Sequence, residues 1–330
     1  MAAFSAEEAE RRKRRKRLIQ GLVVGAAAIG VPALANALIR RRAGKLPPTA
    51  WGRTQRYAWR EGEVLFQRLG SGVPIVLVHS FGPGHDGWEW REVAALLAED
   101  FSVFVPDLLG WGRSEKPALA YDGELYLQLL DDFLVDVVGQ RAVVIAAGLP
   151  AAYAVQIAVD TPERVRCLGL VVPQGIEVHG DEPDMKDALV HRLLRLPVFG
   201  TSALNVYTSR SGIAHHLKSE VYGAPERVDD DAIERHYVAS HQPGAQAALA
   251  AYLAGYLNHG IEALLPRLDV PVWLAWGGNA SSPPVATADL WLRHTHAVLE
   301  VFQHAGNLPH AESPTAFTGA LLEFFKKLPE

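Results

Sequence analysis

Few residues in this chain have both the type and the spacing to make or break a covalent bond. Ser80 carries a hydroxyl directly after His79, in His79-Ser80-Phe81-Gly82 at the end of an apolar run. A serine beside an imidazole suggests acyl transfer, which needs a nucleophile, a base to take its proton and a group to orient that base. Adjacent residues on a strand point to opposite faces, however, so Ser80 and His79 are poorly placed to exchange a proton. His294-Thr295-His296 could offer two metal ligands, but no third stands in convincing context. It is taken as a polar strand edge, and no metal or cofactor is expected. Asp131-Asp132 and Asp229 to Asp231 fit solvated helix ends. The single cysteine, Cys167, lies in an apolar run and can form no internal disulfide.

The elements that must position these residues are legible as apolar runs that break into turns. Pro74 to Val78 is a strand that feeds His79-Ser80-Phe81-Gly82. Phe101 to Val105 is another, ending in Asp107-Leu108-Leu109-Gly110-Trp111-Gly112-Arg113-Ser114. Val143 to Ile145 is a β-branched run, Ala146 to Pro150 a tight turn of small residues, and Ala151 to Ala158 an apolar stretch of helical character. Gly62 to Leu69 reads as an early strand or hairpin arm, and Trp90 to Leu97 has helical spacing. Short strands buried on both faces and alternating with helices imply an α/β protein with a mainly parallel sheet. Between Gly175 and His259 the alternation stops. There Arg192 to Leu194, Ile213 to Val221, Asp229 to Ser240 and Gln246 to Leu257 read as successive helices.

Two later stretches complete a pattern: Pro271-Val272-Trp273-Leu274-Ala275-Trp276-Gly277, and His304-Ala305-Gly306-Asn307-Leu308-Pro309-His310-Ala311-Glu312-Ser313-Pro314. Taken in order with the His79 and Asp107 loops, they resemble the α/β-hydrolase superfamily over roughly residues 60 to 330. The surroundings of Ala151-Ala152-Tyr153 and of His241 to Ala245 look like bacterial, often membrane-anchored members. The resemblance implies an α/β-hydrolase fold: a mostly parallel central sheet flanked by helices, with a helical lid inserted over the carboxyl ends of the strands. It also implies a serine, then an acid, then a histidine in chain order. At those positions stand Gly148, Ala280 and Asn307, none of which can do the work of the residue it replaces. Loss of the nucleophile alone costs about 10⁶ in turnover in such an enzyme.

The expectation is therefore a catalytically inactive protein that binds or scaffolds, as an accessory subunit of a membrane protein complex. A pocket for a small carbonyl- or carboxylate-bearing ligand is expected near Ser80, Phe81, Leu149 and His310. Leu149 is included because its backbone N–H occupies the family's oxyanion-donor position. His310 matches a second histidine of active relatives, where packing is its simpler role. Glycine at 148 adopts without steric cost the positive φ that an elbow nucleophile commonly has. The alternative is an active serine-type, esterase-like hydrolase with a non-standard nucleophile such as Ser80.

The amino terminus carries a second signal. Arg11 to Arg17 are all basic, and Leu18 to Ile39 is apolar except for Gln20, Pro32 and Asn36. Roughly 22 residues would span about 33 Å as a helix, enough for a hydrocarbon core. A membrane anchor is expected, with the basic tail cytoplasmic and the globular part on the outer face. Ala33-Leu34-Ala35 also resembles a signal-peptide cleavage site, which would leave an exported ligand-binding protein; an interfacial helix is the third reading. The expected organisation is a basic tail at 1–17, a transmembrane helix at 18–39, a linker at 40–60, core at 61–174, lid at 175–259 and core again at 260–330. A formal net charge of −5 argues against nucleic acid as a partner.

Overall fold

The computed structural model describes residues 2–328, with the side chains of residues 2–9, 19 and 21–26 outside that description. Eight strands form one sheet: β1 (Arg53–Trp59), β2 (Gly62–Leu69), β3 (Val73–Val78), β4 (Phe101–Pro106), β5 (Ala142–Ala147), β6 (Val165–Val171), β7 (Val272–Gly277) and β8 (Val298–Phe302). Their order is β1-β2-β4-β3-β5-β6-β7-β8. β1 and β2 pair antiparallel, as do β2 and β4; every pairing from β4 through β3 to β8 is parallel. All residues of β5 and β7 are buried, as unbroken apolar runs require in a sheet covered on both faces.

The first helices in chain order are α1 (Ala2–Ala43), α2 (Arg91–Leu97), α3 (Gly123–Phe133) and α4 (Pro150–Asp160). The stretch between β6 and β7 carries α5 (Met185–Leu194), α6 (Phe199–Tyr207), α7 (Arg210–His216), α8 (Asp230–Ser240) and α9 (Ala245–Leu253). After it come α10 (Ala288–His294), α11 (Pro309–Glu312) and α12 (Pro314–Phe325). Helix α4 packs on β5 and β6 and carries α3 against it, whereas α2 and α12 pack together against β4, β7 and β8. Asp229 caps α8 by accepting from the Ala232 N–H, so part of the acidic run at 229–231 is a helix start. The helical insertion matches the expected helices and adds α6.

The order of the strands places the site. From β3 the chain moves to β4 on one side and later returns to β5 on the other. The loops after β3 and β5 therefore diverge at the carboxyl edge of the sheet, where α/β proteins leave a crevice for ligands. Ser80 lies in the first loop and Gly148 in the second.

Two expectations are corrected here. Residues 40–60 are not a simple linker, because α1 runs to Ala43 and Arg53–Trp59 form an edge strand. β1 was missed because Arg53, Gln55 and Arg56 break any apolar alternation; it is held by pairing with β2 along its whole length. The expected transmembrane helix falls within α1, but among the described residues no helix is long and apolar enough to cross a membrane. Residues 19 and 21–26 of the expected span lie outside the described side chains. The carboxyl end of α1 leans on α6, where Asn36 Nδ2 donates to the Val198 carbonyl at 3.0 Å and Asn36 Oδ1 accepts from Asn205 Nδ2 at 2.9 Å.

Candidate functional site

β3 ends at Val78, and the chain turns at once into buried polar residues. The Leu108 N–H donates to His79 Nε2 at 3.0 Å. That nitrogen is thus the acceptor, which assigns the proton to Nδ1, and Nδ1 donates to the Ser80 carbonyl at 2.7 Å. Both nitrogens of His79 are occupied by backbone, so His79 is no partner for the Ser80 hydroxyl.

The partner lies five residues further on. Ser80 Oγ is 2.9 Å from His85 Nδ1 and 3.1 Å from Glu89 Oε2, and His85 Nδ1 is 3.1 Å from the same carboxylate oxygen. The other oxygen of Glu89 accepts the Ser80 backbone N–H at 2.8 Å. Glu89 reaches this position on a short 3₁₀ turn, Gly87–Trp90, which Asp86 caps by accepting from the Trp88 N–H. Arg235 of α8 pairs with Asp86 at 2.7 Å and fixes the cap. Gly84 lets the loop pass under α8: with φ of +76°, a Cβ there would stand 2.2 Å from the His236 carbonyl. A hydroxyl, an imidazole and a carboxylate thus meet within hydrogen-bond reach, all in buried side chains.

The electrostatics favour an ionised carboxylate. Burial alone would push the Glu89 carboxyl up, but the imidazoles of His310 and His85 beside it outweigh burial and hold it below the ordinary carboxylate range. His310 is itself pushed down by burial, and neither of its ring nitrogens has a hydrogen-bond partner among the described residues. Its Nε2 is 3.4 Å from Glu89 Oε1, and its ring stacks on Trp90 with centroids 3.7 Å apart. The neighbouring imidazoles are neutral at pH 7. Burial, with His85 nearby, brings His216 down to about 4 and His236 to about 3.

The strand-turn-helix expected around Gly148 is present. β5 ends at Ala147, Gly148 has φ of +64°, and α4 starts at Pro150. A Cβ built on Gly148 would meet the Ser80 Cβ at 3.4 Å, so Ser80 stands directly beside the elbow. Asn307 ties the two later loops together: its Oδ1 accepts the Ser281 N–H at 3.0 Å, and its Nδ2 donates to the Ser282 carbonyl at 3.3 Å. Ala280 is buried next to that junction.

A cavity of about 230 Å³ brings most of these residues together, with Ser80, Phe81, His85, Gly148, Tyr252 and Asn307 in its wall. His216 also lines it; its Nδ1 is 2.7 Å from Glu220 Oε2, while its Nε2 is buried without a hydrogen-bond partner among the described residues. Leu149 is buried behind Gly148. His310 does not reach the cavity, so its expected place among the ligand-binding residues gives way to packing on Trp90 and support of Glu89. His85 and Glu89 were missed. Their i, i+4 spacing after a glycine-rich loop is the one signal that could have found them.

Known proteins give the wider frame. A family model described as "Alpha/beta hydrolase family" matches residues 75–320. An uncharacterized protein of Mycobacterium tuberculosis is 29% identical, over 84% of this chain and 81% of its own. A 2-hydroxymuconate semialdehyde hydrolase of a Pseudomonas strain is 28% identical, over 77% of this chain and 87% of its own. Among solved structures, a serine hydrolase of carbazole degradation aligns with a TM-score of 0.69 at 22% identity, over 83% of this chain and 99% of that one. A bacterial membrane phospholipase A aligns with a TM-score of 0.67 at 20% identity, over 96% of this chain and 98% of that one.

These relatives overturn one expectation. A chain read as inactive from Gly148, Ala280 and Asn307 has relatives and structural neighbours that are catalytic hydrolases. The inference from those three residues to a protein that is not an enzyme therefore fails. A scaffolding or accessory-subunit role finds no support among the relatives.

Proposed function

The chain belongs to the alpha/beta hydrolase family, and on that premise we propose that it hydrolyses ester or related acyl bonds with Ser80, rather than an elbow residue, as nucleophile. The observation that carries this reading is the Ser80 hydroxyl, 2.9 Å from His85 Nδ1 and 3.1 Å from Glu89 Oε2 in the cavity wall. With its proton on Nδ1, His85 donates to Glu89 Oε2; when the proton sits on Nε2 instead, Nδ1 is open to accept from Ser80. Ser80 Oγ attacks the acyl carbon as its proton passes to His85 Nδ1, and the Glu89 carboxylate stabilises the imidazolium. The tetrahedral intermediate collapses to acyl-Ser80, and the leaving oxygen takes the proton back from His85. Water, activated by the same imidazole, then releases the acid and regenerates Ser80. The Leu149 N–H serves as a donor to the developing oxyanion, the electrostatic role such donors have in acyl transfer.

Phe81, Val172, Tyr252 and Leu308 give the cavity an apolar wall, which suits a short acyl chain. The helices α5 to α9 act as the lid, since His216, Glu220 and Tyr252 from this insertion line the cavity. Helix α1 attaches the protein to a membrane, with the basic residues 11–17 on the cytoplasmic side; the support is the apolar run 18–39 between basic clusters.

The test is covalent. A fluorophosphonate should label the native chain once, on Ser80 by peptide mapping, and Ser80→Ala should abolish both label and ester turnover. Labelling elsewhere, or turnover that survives Ser80→Ala, sinks the reading.

A further inference from the structure

Helix α5 has no buried residue, and its apolar side chains face outward. Met185, Leu189 and Leu193 recur at i, i+4 and i+8, one face of a helix, and each is exposed, Met185 at 89%. Leu196 and Phe199 continue the patch through the turn into α6, where Val206 is 74% exposed. The inner side of α5 packs on α6 and α9, while nothing among the described residues covers this outer apolar face.

The patch does not stand alone. Val198 and Asn205 hold Asn36 of α1, and Ser202 Oγ adds a bond to Asn36 Oδ1 at 3.2 Å. On α1 itself Val31, Leu34 and Leu38 are exposed. The insertion and α1 thus present apolar side chains from one hydrogen-bonded junction. Basic residues border them: Arg40, Arg41 and Arg42 end α1, and Arg192 and Arg195 lie exposed at the end of α5. The acids lie at the opposite end of α5: Asp184 and Asp187 form its capping box, and Asp181 and Glu182 are exposed just before it. In a two-fold contact with a second copy the same patch faces itself, which would bring these arginines toward their own copies. An apolar face rimmed by arginine instead fits acyl chains beneath anionic headgroups.

We infer that the outer face of α5 and α6 docks on the surface of an anionic phospholipid bilayer, so that the lid lies on the membrane beside α1. Helix α9 links this face to the cavity: it packs against both α5 and α6 and contributes Tyr252 to the cavity wall. Docking would then present membrane-partitioned esters to Ser80. That last consequence rests on the hydrolase reading; the docking itself does not.

The full-length protein is reconstituted in vesicles of phosphatidylcholine and phosphatidylglycerol, with an environment-sensitive fluorophore on Leu193→Cys or Met185→Cys, and on Glu99→Cys as a remote control. The emission should shift blue at 185 and 193, and nitroxide lipids should quench it there, with neither effect at 99. Leu189→Glu combined with Leu193→Glu should lower turnover of a vesicle-borne ester about tenfold, the order expected from losing apolar burial, and leave a water-soluble short ester unaffected. Unshifted emission at 185 and 193 in vesicles overturns the inference. So does a blue shift in detergent that grows with protein concentration, which would assign the face to a second copy. Should neither ester be turned over by the unsubstituted protein, the hydrolase reading fails, and the emission and quenching decide docking alone.

Discussion

The loops after β5 and after β3 end side by side at the carboxyl edge of the sheet, yet they have diverged in opposite directions. At the β5 loop the backbone keeps the geometry of a nucleophile elbow, with positive φ at Gly148, but offers no hydroxyl. At the β3 loop the backbone is held by glycines against α8, and the side chains Ser80, His85 and Glu89 form a closed hydrogen-bonded set. One loop has the conformation without a hydroxyl; the other carries a hydroxyl together with an imidazole and a carboxylate. Since the Ser80 Cβ is 3.4 Å from the position of a Cβ on Gly148, a hydroxyl can leave one loop and be supplied from the other within the same cavity.

The sharpest way to break this comparison is to remove the hydroxyl. Ser80→Ala should lower kcat on the order of 10⁶-fold, as loss of a serine nucleophile does, with the fold intact by circular dichroism. Next come its partners. His85→Ala or Glu89→Gln should reduce kcat by about 10²–10⁴-fold, the range for losing a proton acceptor or its orienting group. Glu89→Gln should also lower stability by ~1–3 kcal/mol, because buried donors from Ser80 and His85 lose a charged acceptor. Urea unfolding together with steady-state kinetics separates the two effects.

Acid should strain the β3 side first. Burial depresses His236 to about 3 and His216 to about 4, against about 6.5 in an unfolded chain. The unfolded state therefore binds more protons in this window. The stability held by the neutral imidazoles is complete above about pH 6.5 and falls as pH drops toward the folded values, by ~2 kcal/mol per histidine at pH 5. Urea midpoints at pH 7 and pH 5 measure this, and His236→Gln should flatten the difference. The smallest effect belongs to the elbow: Gly148→Ser should cost ~1–2 kcal/mol through its positive φ. It should not rescue Ser80→Ala, since Asn307 gives the new hydroxyl no base. Recovery of turnover in that double variant would return the chemistry to the elbow.

Much of the frame is legible in the sequence. Unbroken apolar runs such as Val143 to Ala147 announce buried parallel strands, and the small residues after them announce the turn. Of the helices of the insertion, α8 is legible from its cap at Asp229 and its period, whereas α5 is legible only at its last residues despite its capping box at Asp184. β1 escaped because its residues are polar and its place depends on β2. His310 resembles a second histidine of active relatives, yet its ring is claimed by Trp90 from another element, the packing role that the sequence reading held simpler.

What the sequence by itself determined is the alternation of buried strands, turns and helices in the core, the residue types at the loops, and the apolar run of the amino terminus. These are written in local periodicity and in single residue types. Only the tertiary structure decided that the hydroxyl of Ser80 meets His85 and Glu89 rather than His79. Local alternation correctly separated Ser80 from His79, but the path of residues 82–84 beneath α8 and the capped turn at 87–90 decide what Ser80 touches instead. A hydrogen bond of about 3 Å tolerates little displacement, and the contacts that hold those segments in place, Arg235 on Asp86 and His236 over Gly84, come from a helix some 150 residues away in the chain.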